Sequence, residues 1–178
     1  MHKKIIQLLL TACCFLFVSI ANGQGAEALK PIKFEQVELT VPESWEFQEG
    51  PMGVKFSLLT LPKDSTDEFR ENVNFNYMPS PVGAPSNEDF TQIRDQMLTM
   101  LKEYFKDIEL GSTSFGTFGG MKSIDFDADA ASLGLHWNWR IFTNNGVLYI
   151  VTSTCRMEES VAWWQVVQSI LNNSNLRG

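Results

Sequence analysis

Three aspartates at alternate positions are the first residues whose spacing points to chemistry. Asp125, Asp127 and Asp129 alternate with Phe or Ala, so a β-strand over this segment places all three carboxylates on one face. Carboxylate oxygens are ligands that Ca²⁺ prefers, but an EF-hand loop beginning at Asp125 would need Gly at its sixth position and Glu at its twelfth. The sequence has Ala130 and His136 there. We therefore expect a solvated strand face, with a divalent-cation site at the three aspartates as the alternative.

A histidine and a cysteine are predicted to face each other across a hairpin. Asn145-Gly146 is a strong signal for a two-residue turn, because both positions tolerate positive φ. Counting back from this turn pairs Arg140 with Val151 and His136 with Cys155. An imidazole beside a thiol can lower the pKa of that thiol and make it nucleophilic. The sequence marks out no third orienting group and no oxyanion hole, so we expect a structural pair, with thiol catalysis by Cys155 and His136 as the alternative.

Aromatic residues near the C-terminus supply a candidate binding surface. The tryptophans of this region are Trp137, Trp139, Trp163 and Trp164. In the last predicted helix, Trp164 lies on the apolar stripe with Val161 and Val167, whereas Trp163 lies off it, so we expect Trp163 to be exposed. His136 and Arg140 lie on the strand face opposite Trp137 and Trp139. The predicted partner-binding surface is therefore Trp163, Arg140 and His136.

Charge and composition exclude several functional classes. The chain of 178 residues has a formal charge of −7, which opposes capture by the phosphates of nucleic acid or by anionic membranes. The sequence contains no Gly-rich phosphate loop, no His-Glu-x-x-His motif and no Ser-His-Asp pattern. With two His and three Cys in the whole chain, a zinc site of His and Cys ligands is excluded once the N-terminal leader is removed. We expect no cofactor and no catalytic residue.

The N-terminus has the pattern of a cleavable export signal. Lys3 and Lys4 precede an almost wholly apolar run over residues 5–20, which is shorter than the length of about 20 residues that spans a bilayer. Small residues precede a cleavage site between Gly23 and Gln24. We therefore predict a signal peptide over residues 1–23, a periplasmic or secreted mature chain, and no membrane span after cleavage.

A lipoprotein signal is the alternative for the same segment. Leu10-Thr11-Ala12-Cys13 resembles a bacterial lipobox, in which Cys13 would be acylated and become the first residue of an envelope-anchored protein. Residues 14–20 remain strongly apolar, whereas a lipid anchor needs no apolar segment after the cysteine. The soluble product is favoured, and its cleavage after Gly23 removes Cys13 and Cys14, which leaves Cys155 as its one thiol.

The rest of the chain reads as strands, one helix, more strands and a final helix. Alternating or extended apolar runs predict strands at residues 34–41, 54–61, 72–78, 108–115, 121–128, 133–143 and 147–155. A proline-rich crossover at 78–85 leads to Ser86, an N-cap with Asp89 three residues later. A broad apolar stripe follows to Phe105, and a second helix is predicted over 158–172.

This order defines the fold class and the domain. Strands joined by hairpins and covered by two helices, without regular β-α alternation, predict an α+β fold with an antiparallel sheet. We expect a short polar N-terminal segment at residues 24–33, a single domain at 34–172 and a polar tail at 173–178.

Several short motifs in this order resemble the PsbP-like proteins. They are Val41-Pro42-Glu43-Ser44-Trp45, the strand Asn72-Val73-Asn74-Phe75, the proline-rich crossover, the Leu148-Tyr149-Ile150-Val151-Thr152 strand and the helix ending near Gln168-Ser169-Ile170. The second half is similar to the exported, DcrB-like bacterial branch. The resemblance implies an α/β/α sandwich used by non-enzymatic accessory and binding proteins, including a Ran-binding factor. It carries no catalytic residue over to this sequence, and fold alone does not fix function.

Overall fold

The computed structural model describes residues 28–50, 54–67 and 69–176. The described elements are β1 (Leu29–Phe34), β2 (Val37–Pro42), β3 (Glu46–Glu49), β4 (Phe56–Leu59), β5 (Asn72–Pro79), α1 (Asn87–Tyr104), β6 (Ile108–Phe118), β7 (Met121–Ala130), β8 (Leu135–Asn144), β9 (Val147–Arg156), α2 (Ser160–Asn172) and β10 (Asn175–Leu176). The α+β fold class and the antiparallel sheet are confirmed.

The central layer is a seven-stranded antiparallel sheet. Its strand order is β3-β4-β5-β9-β8-β7-β6. The hairpin between β8 and β9 turns at Asn145 and Gly146, both with positive φ, and this fixes the predicted register of the two strands. A separate three-stranded sheet has the order β1-β2-β10.

Helix α1 begins where the sequence predicts. The Ser86 hydroxyl accepts a hydrogen bond from the Asp89 amide at 3.2 Å, and the Asp89 carboxylate accepts one from the Ser86 amide at 2.8 Å. This capping box satisfies amide groups that the helix itself leaves free. The helix buries Phe90 and Leu98 against β6, β7 and β8, among Ile124, Phe126 and Trp139.

Helix α2 and the small sheet cover the opposite face of the central sheet. Together they enclose the larger apolar core, in which Phe56, Phe75, Phe142 and Tyr149 are almost fully buried. The central sheet therefore lies between α1 on one face and α2 with the small sheet on the other. Because successive residues of a strand point to opposite faces, β8 and β9 supply side chains to both cores: Phe142 and Tyr149 to the larger one, Trp139 and Leu148 to the one under α1.

Two boundaries differ from the sequence prediction. The predicted polar segment at 24–33 contains strand β1 from Leu29, which pairs with β2 after a tight turn at Glu35. The predicted polar tail contains β10, whose Asn175 and Leu176 pair with β2. The small sheet thus joins the two ends of the domain. Neither β1 nor β10 was predicted from the sequence, because both segments lack a strong apolar alternation.

Candidate functional site

A groove runs between α2 and the strands β6, β7 and β8. Its volume is about 570 Å³, and its walls are mostly polar. The lining residues are Ser112, Ser114, Asp125, Phe126, Asp127, His136, Asn138, Ser160, Val161, Trp164, Gln165 and Gln168. Helix α2 packs over the middle strands and leaves the outer strands uncovered, so the groove has a sheet floor and a helix wall. We call this feature the α2 groove.

The floor of the α2 groove contains Asp125 and Asp127 of the three predicted aspartates, and Asp129 continues the same strand face beyond the groove lining. Asp125, Asp127 and Asp129 lie opposite Arg140, Asn138 and His136 in the β7–β8 register, on the same sheet face. That face is not the open, solvated surface that we expected. Each carboxylate is held by a different protein group, because β8 and β6 supply partners at matching positions.

Arg140 makes the strongest of these contacts. Its Nε and Nη2 atoms donate to the two carboxylate oxygens of Asp125 at 2.8 and 2.6 Å. The guanidinium also lies over the ring of Phe118 at 4.9 Å and over that of Trp164 at 5.5 Å. A two-point ion pair held between aromatic rings has a fixed direction. Arg140 therefore ties the sheet floor to the helix wall.

Asp127 stabilises a β-bulge in the edge strand. The β6–β7 register shifts between Leu110 and Thr113, so that Gly111 and Ser112 together oppose Asp127. The Asp127 carboxylate accepts hydrogen bonds from the Ser112 amide at 2.6 Å and from the Ser112 hydroxyl at 2.8 Å. Ser112 and Asp127 thereby form the outer rim of the α2 groove.

Asp129 contacts the histidine that lies opposite it on β8. The Asp129 carboxylate lies 2.7 Å from Nδ1 of His136. Asp125, Asp127 and Asp129 are thus engaged by Arg140, Ser112 and His136. The described residues contain no group of three His, Cys, Asp or Glu side chains arranged to hold a metal ion. The geometry therefore gives the divalent-cation hypothesis no support.

Two buried polar residues oppose each other on neighbouring strands of the sheet. Asn138 and Ser153 oppose each other on β8 and β9. Asn138 Nδ2 and Ser153 Oγ are both buried without a hydrogen-bond partner in the structure. An unpaired buried donor or acceptor is costly, with a penalty of about 1–3 kcal/mol. Of the two residues, Asn138 also lines the α2 groove, and an unpaired buried group of this kind can be satisfied by an ordered water.

The predicted pairing of His136 with Cys155 is confirmed in register. Asp129 at Nδ1 of His136 is the orienting group that the sequence did not mark, so the case for a structural pair rests on Cys155, which is fully buried. Burial, followed by the nearby carboxylates of Glu71 and Glu159, raises the pKa of Cys155 to about 12. A reactive cysteine needs a lowered pKa, so this environment opposes the thiol-catalysis alternative.

The predicted exposure of Trp163 is wrong. Trp163 is only 8% exposed and stacks on Trp45 with ring centroids 5.1 Å apart. Val161, which was assigned to the buried stripe, is 75% exposed. The helix is rotated from the predicted orientation so that Trp163 enters the core and Trp164 lies at the groove. The tryptophan at the candidate surface, beside Arg140, is therefore Trp164.

A buried glutamate that the sequence did not mark holds the start of α2. Glu71 is 3% exposed; its carboxylate accepts from the Thr60 hydroxyl at 3.0 Å and lies 3.2 Å from Lys63 Nζ. Lys63 also pairs with Glu159, the residue before α2. Burial tends to raise the pKa of Glu71, but its hydrogen bonds, first that from its own amide, hold the pKa below its usual value. No sequence pattern indicates this network, because Glu71 is an isolated charged residue just before β5.

The export and lipidation predictions fall on residues that the structure does not describe. Gly23, Gln24 and Cys13 lie outside the described ranges. In those ranges, neither helix has the length and apolar character needed to cross a membrane.

Comparison with known proteins places the fold. No protein-family model and no curated protein sequence matches the chain. Among solved structures, cyanobacterial PsbP (CyanoP) of Synechocystis sp. PCC 6803 is similar with a TM-score of 0.64 and 13% identity, over 87% of this chain and 96% of that one. The Ran-binding protein Mog1p of Saccharomyces cerevisiae is similar with a TM-score of 0.59 and 11% identity, over 85% and 96%.

The chain has the PsbP-like fold. The resemblance predicted from the sequence motifs is confirmed at this level. LpqN, involved in cell envelope biogenesis of Mycobacterium tuberculosis, is similar with a TM-score of 0.50 and 10% identity, over 86% of this chain and 93% of that one. At identities of 10–13% the PsbP-like fold is shared while most residues differ. The α2 groove must therefore be interpreted from this chain's own residues.

Proposed function

We propose that this protein is an exported, non-enzymatic binding protein of the cell envelope, and that it acts by contact with a protein or envelope component. The contact surface is the α2 groove, whose lining includes Trp164 and His136. Arg140, which the sequence analysis placed on this surface, is buried beside the groove and contacts it through Asp125 and Trp164. Trp164 takes the place that the sequence prediction gave to Trp163. The helix wall adds the amide side chains of Gln165 and Gln168.

The observation that carries the proposal is the state of the polar groups in the α2 groove. Asp125 and Asp129 are held by Arg140 and His136, and the one thiol of the domain is buried with a raised pKa. Catalysis needs a nucleophile or base poised toward a reacting atom. Asp125 is fixed to Arg140 and the Cys155 thiol is fully buried, so neither is poised toward a ligand in the groove, which favours recognition through a preformed surface.

The structural neighbours support the same class of function. Mog1p is a Ran-binding protein, and LpqN is involved in cell envelope biogenesis. A binding role is consistent with both, while the sequence pattern before residue 24 favours export. Because related folds carry different functions, the identity of the partner does not follow from these neighbours.

Site-specific photocrosslinking tests the proposed surface. A photoreactive phenylalanine analogue is placed at Gln165, which lies on the groove wall, and the matched control carries it at Glu103 of α1, also exposed but on the other face of the sheet. In cells of the native organism we expect a discrete adduct at position 165 that is absent at position 103. An equal pattern at both positions, or no adduct at 165, would contradict the assignment of the α2 groove.

The intact mass of the mature protein tests the export part of the proposal. A polypeptide that begins at Gln24 supports cleavage of a signal peptide. A diacylated chain that begins at Cys13 supports the lipoprotein alternative. Recovery of the full-length chain from the cytosol would refute both.

A further inference from the structure

We propose that β6 is a homodimerisation edge, at which two copies of the chain pair their β6 strands antiparallel across a two-fold axis at Phe115. The proposal is independent of what binds in the α2 groove. It depends on the position, length, charge and register of this one strand.

Strand β6 lies at the end of the seven-stranded sheet and is unusually long for an open edge. It spans 11 residues, and its burial pattern is exposed at most positions. The opposite edge strand, β3, spans four residues, of which Glu46 and Glu49 are charged. Short length and charge are devices that prevent an edge from pairing with another chain. From Leu110 to Phe118, β6 has no charged residue.

The hairpin that ends β6 determines which backbone groups face outward. Gly119 and Gly120 form a two-residue turn with positive φ at both positions, and Phe118 pairs with Met121 across it. Such a turn is closed by a hydrogen-bonded pair, and hydrogen-bonded and non-hydrogen-bonded pairs then alternate along the ladder. The amide and carbonyl groups of Thr113, Phe115 and Thr117 therefore point away from β7, toward the open side.

These three residues form a self-complementary set. In an antiparallel pair centred on Phe115, the two copies of Phe115 oppose each other, and Thr113 of each copy opposes Thr117 of the other. Aromatic pairs and Thr–Thr pairs are among the cross-strand combinations that stabilise antiparallel sheets. Phe115 is 44% exposed in the single chain, and this register would cover it.

The bulge next to this segment sets its length. The regular β6–β7 register begins at Thr113, after the shift at Gly111 and Ser112, and the turn follows Phe118. The regular edge is thus six residues long, a typical length for a strand. A two-fold axis through its centre is the symmetry expected of an isologous dimer.

The proposed pairing also joins the two grooves. The side chain of Ser114 lies on the α2 face, and in this register Ser114 of one copy opposes Gly116 of the other. A two-fold axis perpendicular to the sheet places both α2 grooves on the same face. The dimer would therefore present one extended, largely polar trough made from two adjoining grooves.

Sedimentation velocity of the purified chain, from low to high micromolar concentration, tests the proposal. We expect a reversible monomer–dimer equilibrium that tightens as salt is raised, because screening weakens the repulsion between two chains of charge −7. Phe115→Lys places like charges opposite each other and should raise the dimer dissociation constant at least about tenfold. Tyr104→Lys, a change of equal charge at a 78% exposed aromatic of α1, should leave the constant unchanged.

A second variant keeps the surface charge and removes one outward amide. Thr117→Pro deletes an N–H that β7 does not use, so it should preserve the fold, as proline at a solvent-facing edge position does, and weaken the dimer. Amide exchange gives a direct readout, because Thr113, Phe115 and Thr117 should be protected only in the dimer. A chain that stays monomeric at every concentration, or a dimer that neither variant weakens, would overturn the proposal.

Discussion

A Cβ atom at position 111 would lie 2.1 Å from Oδ1 of Asp127. Gly111 is therefore required by the carboxylate that crosses over it to reach the Ser112 amide. Real Cβ atoms do not approach an oxygen so closely, so any larger residue at 111 must displace the Asp127 side chain. The bulge, its glycine and its aspartate form one unit at the rim of the α2 groove.

A double-mutant cycle measures the energetic coupling between Gly111 and Asp127. Gly111→Ala should lower the free energy of unfolding by about 1–3 kcal/mol, because it breaks the Asp127–Ser112 contacts or strains the bulge. In an Asp127→Ala background the same change should cost far less, with a coupling energy of at least about 1 kcal/mol. Urea unfolding of the four proteins provides the values. Additive losses would show that Asp127 does not determine the need for glycine.

Replacing Arg140 by Lys tests the geometry of its contacts with Asp125, Phe118 and Trp164 while keeping its charge. Arg140→Lys keeps the charge but loses the two-point contact with Asp125 and the flat surface against Phe118 and Trp164. We expect a loss of about 1–2 kcal/mol in the free energy of unfolding, together with a weaker crosslink at position 165. The control is Lys33→Arg, because the Lys33 side chain is 68% exposed and forms a surface ion pair with Glu38. This change should alter the free energy of unfolding by less than about 0.5 kcal/mol. Equal effects at the two sites would contradict a positioning role for Arg140.

Local patterns predicted the elements and much of the sheet register. The Asn145-Gly146 turn fixed the β8–β9 pairing, so the positions of His136 and Arg140 followed by counting. The alternation of Asp125, Asp127 and Asp129 placed them correctly on one face. The capping residue Ser86 correctly predicted the start of α1. Each of these signals lies within a short stretch of chain, where local geometry decides the outcome.

The groove itself depends on contacts that local patterns do not contain. Helix α2 has apolar residues around most of its circumference. Periodicity alone therefore allows either Trp163 or Trp164 to lie on the buried face. The choice is made by Trp45, which lies far away in the sequence and stacks on Trp163. The partner of Asp127 is likewise set by a register shift in β6. Tertiary packing decides such cases, and no periodicity in one segment reveals it.

The two adjacent tryptophans of α2 should respond differently to truncation. Trp163→Ala removes a core side chain stacked on Trp45 and should cost about 3–5 kcal/mol in the free energy of unfolding. Trp164→Ala, at a half-buried position beside Arg140, should cost less and should instead weaken the crosslink at position 165. Chemical denaturation and the crosslinking yield separate the two effects. Greater destabilisation by Trp164→Ala would contradict the observed orientation of α2.

Cys155 should behave as a buried neutral thiol. With its pKa raised to about 12 from an ordinary value of 9.0, the folded protein should react with iodoacetamide at pH 8 far more slowly than the urea-unfolded protein. The unfolded thiol ionises near pH 9 while the folded thiol stays neutral, so the stability due to this group is complete below pH 9 and is lost as the pH rises toward 12.

The comparison with Cys155→Ala isolates that pH dependence. Tyr77 and Tyr149 also have raised pKa values through burial, but they are present in both proteins and cancel in the difference. We expect the stability difference between wild type and Cys155→Ala to be constant below pH 9 and to shift against the wild type above it. Rapid labelling of the folded wild type at pH 8 would instead mean that the thiol is accessible and ionised, and it would revive the catalytic alternative with His136.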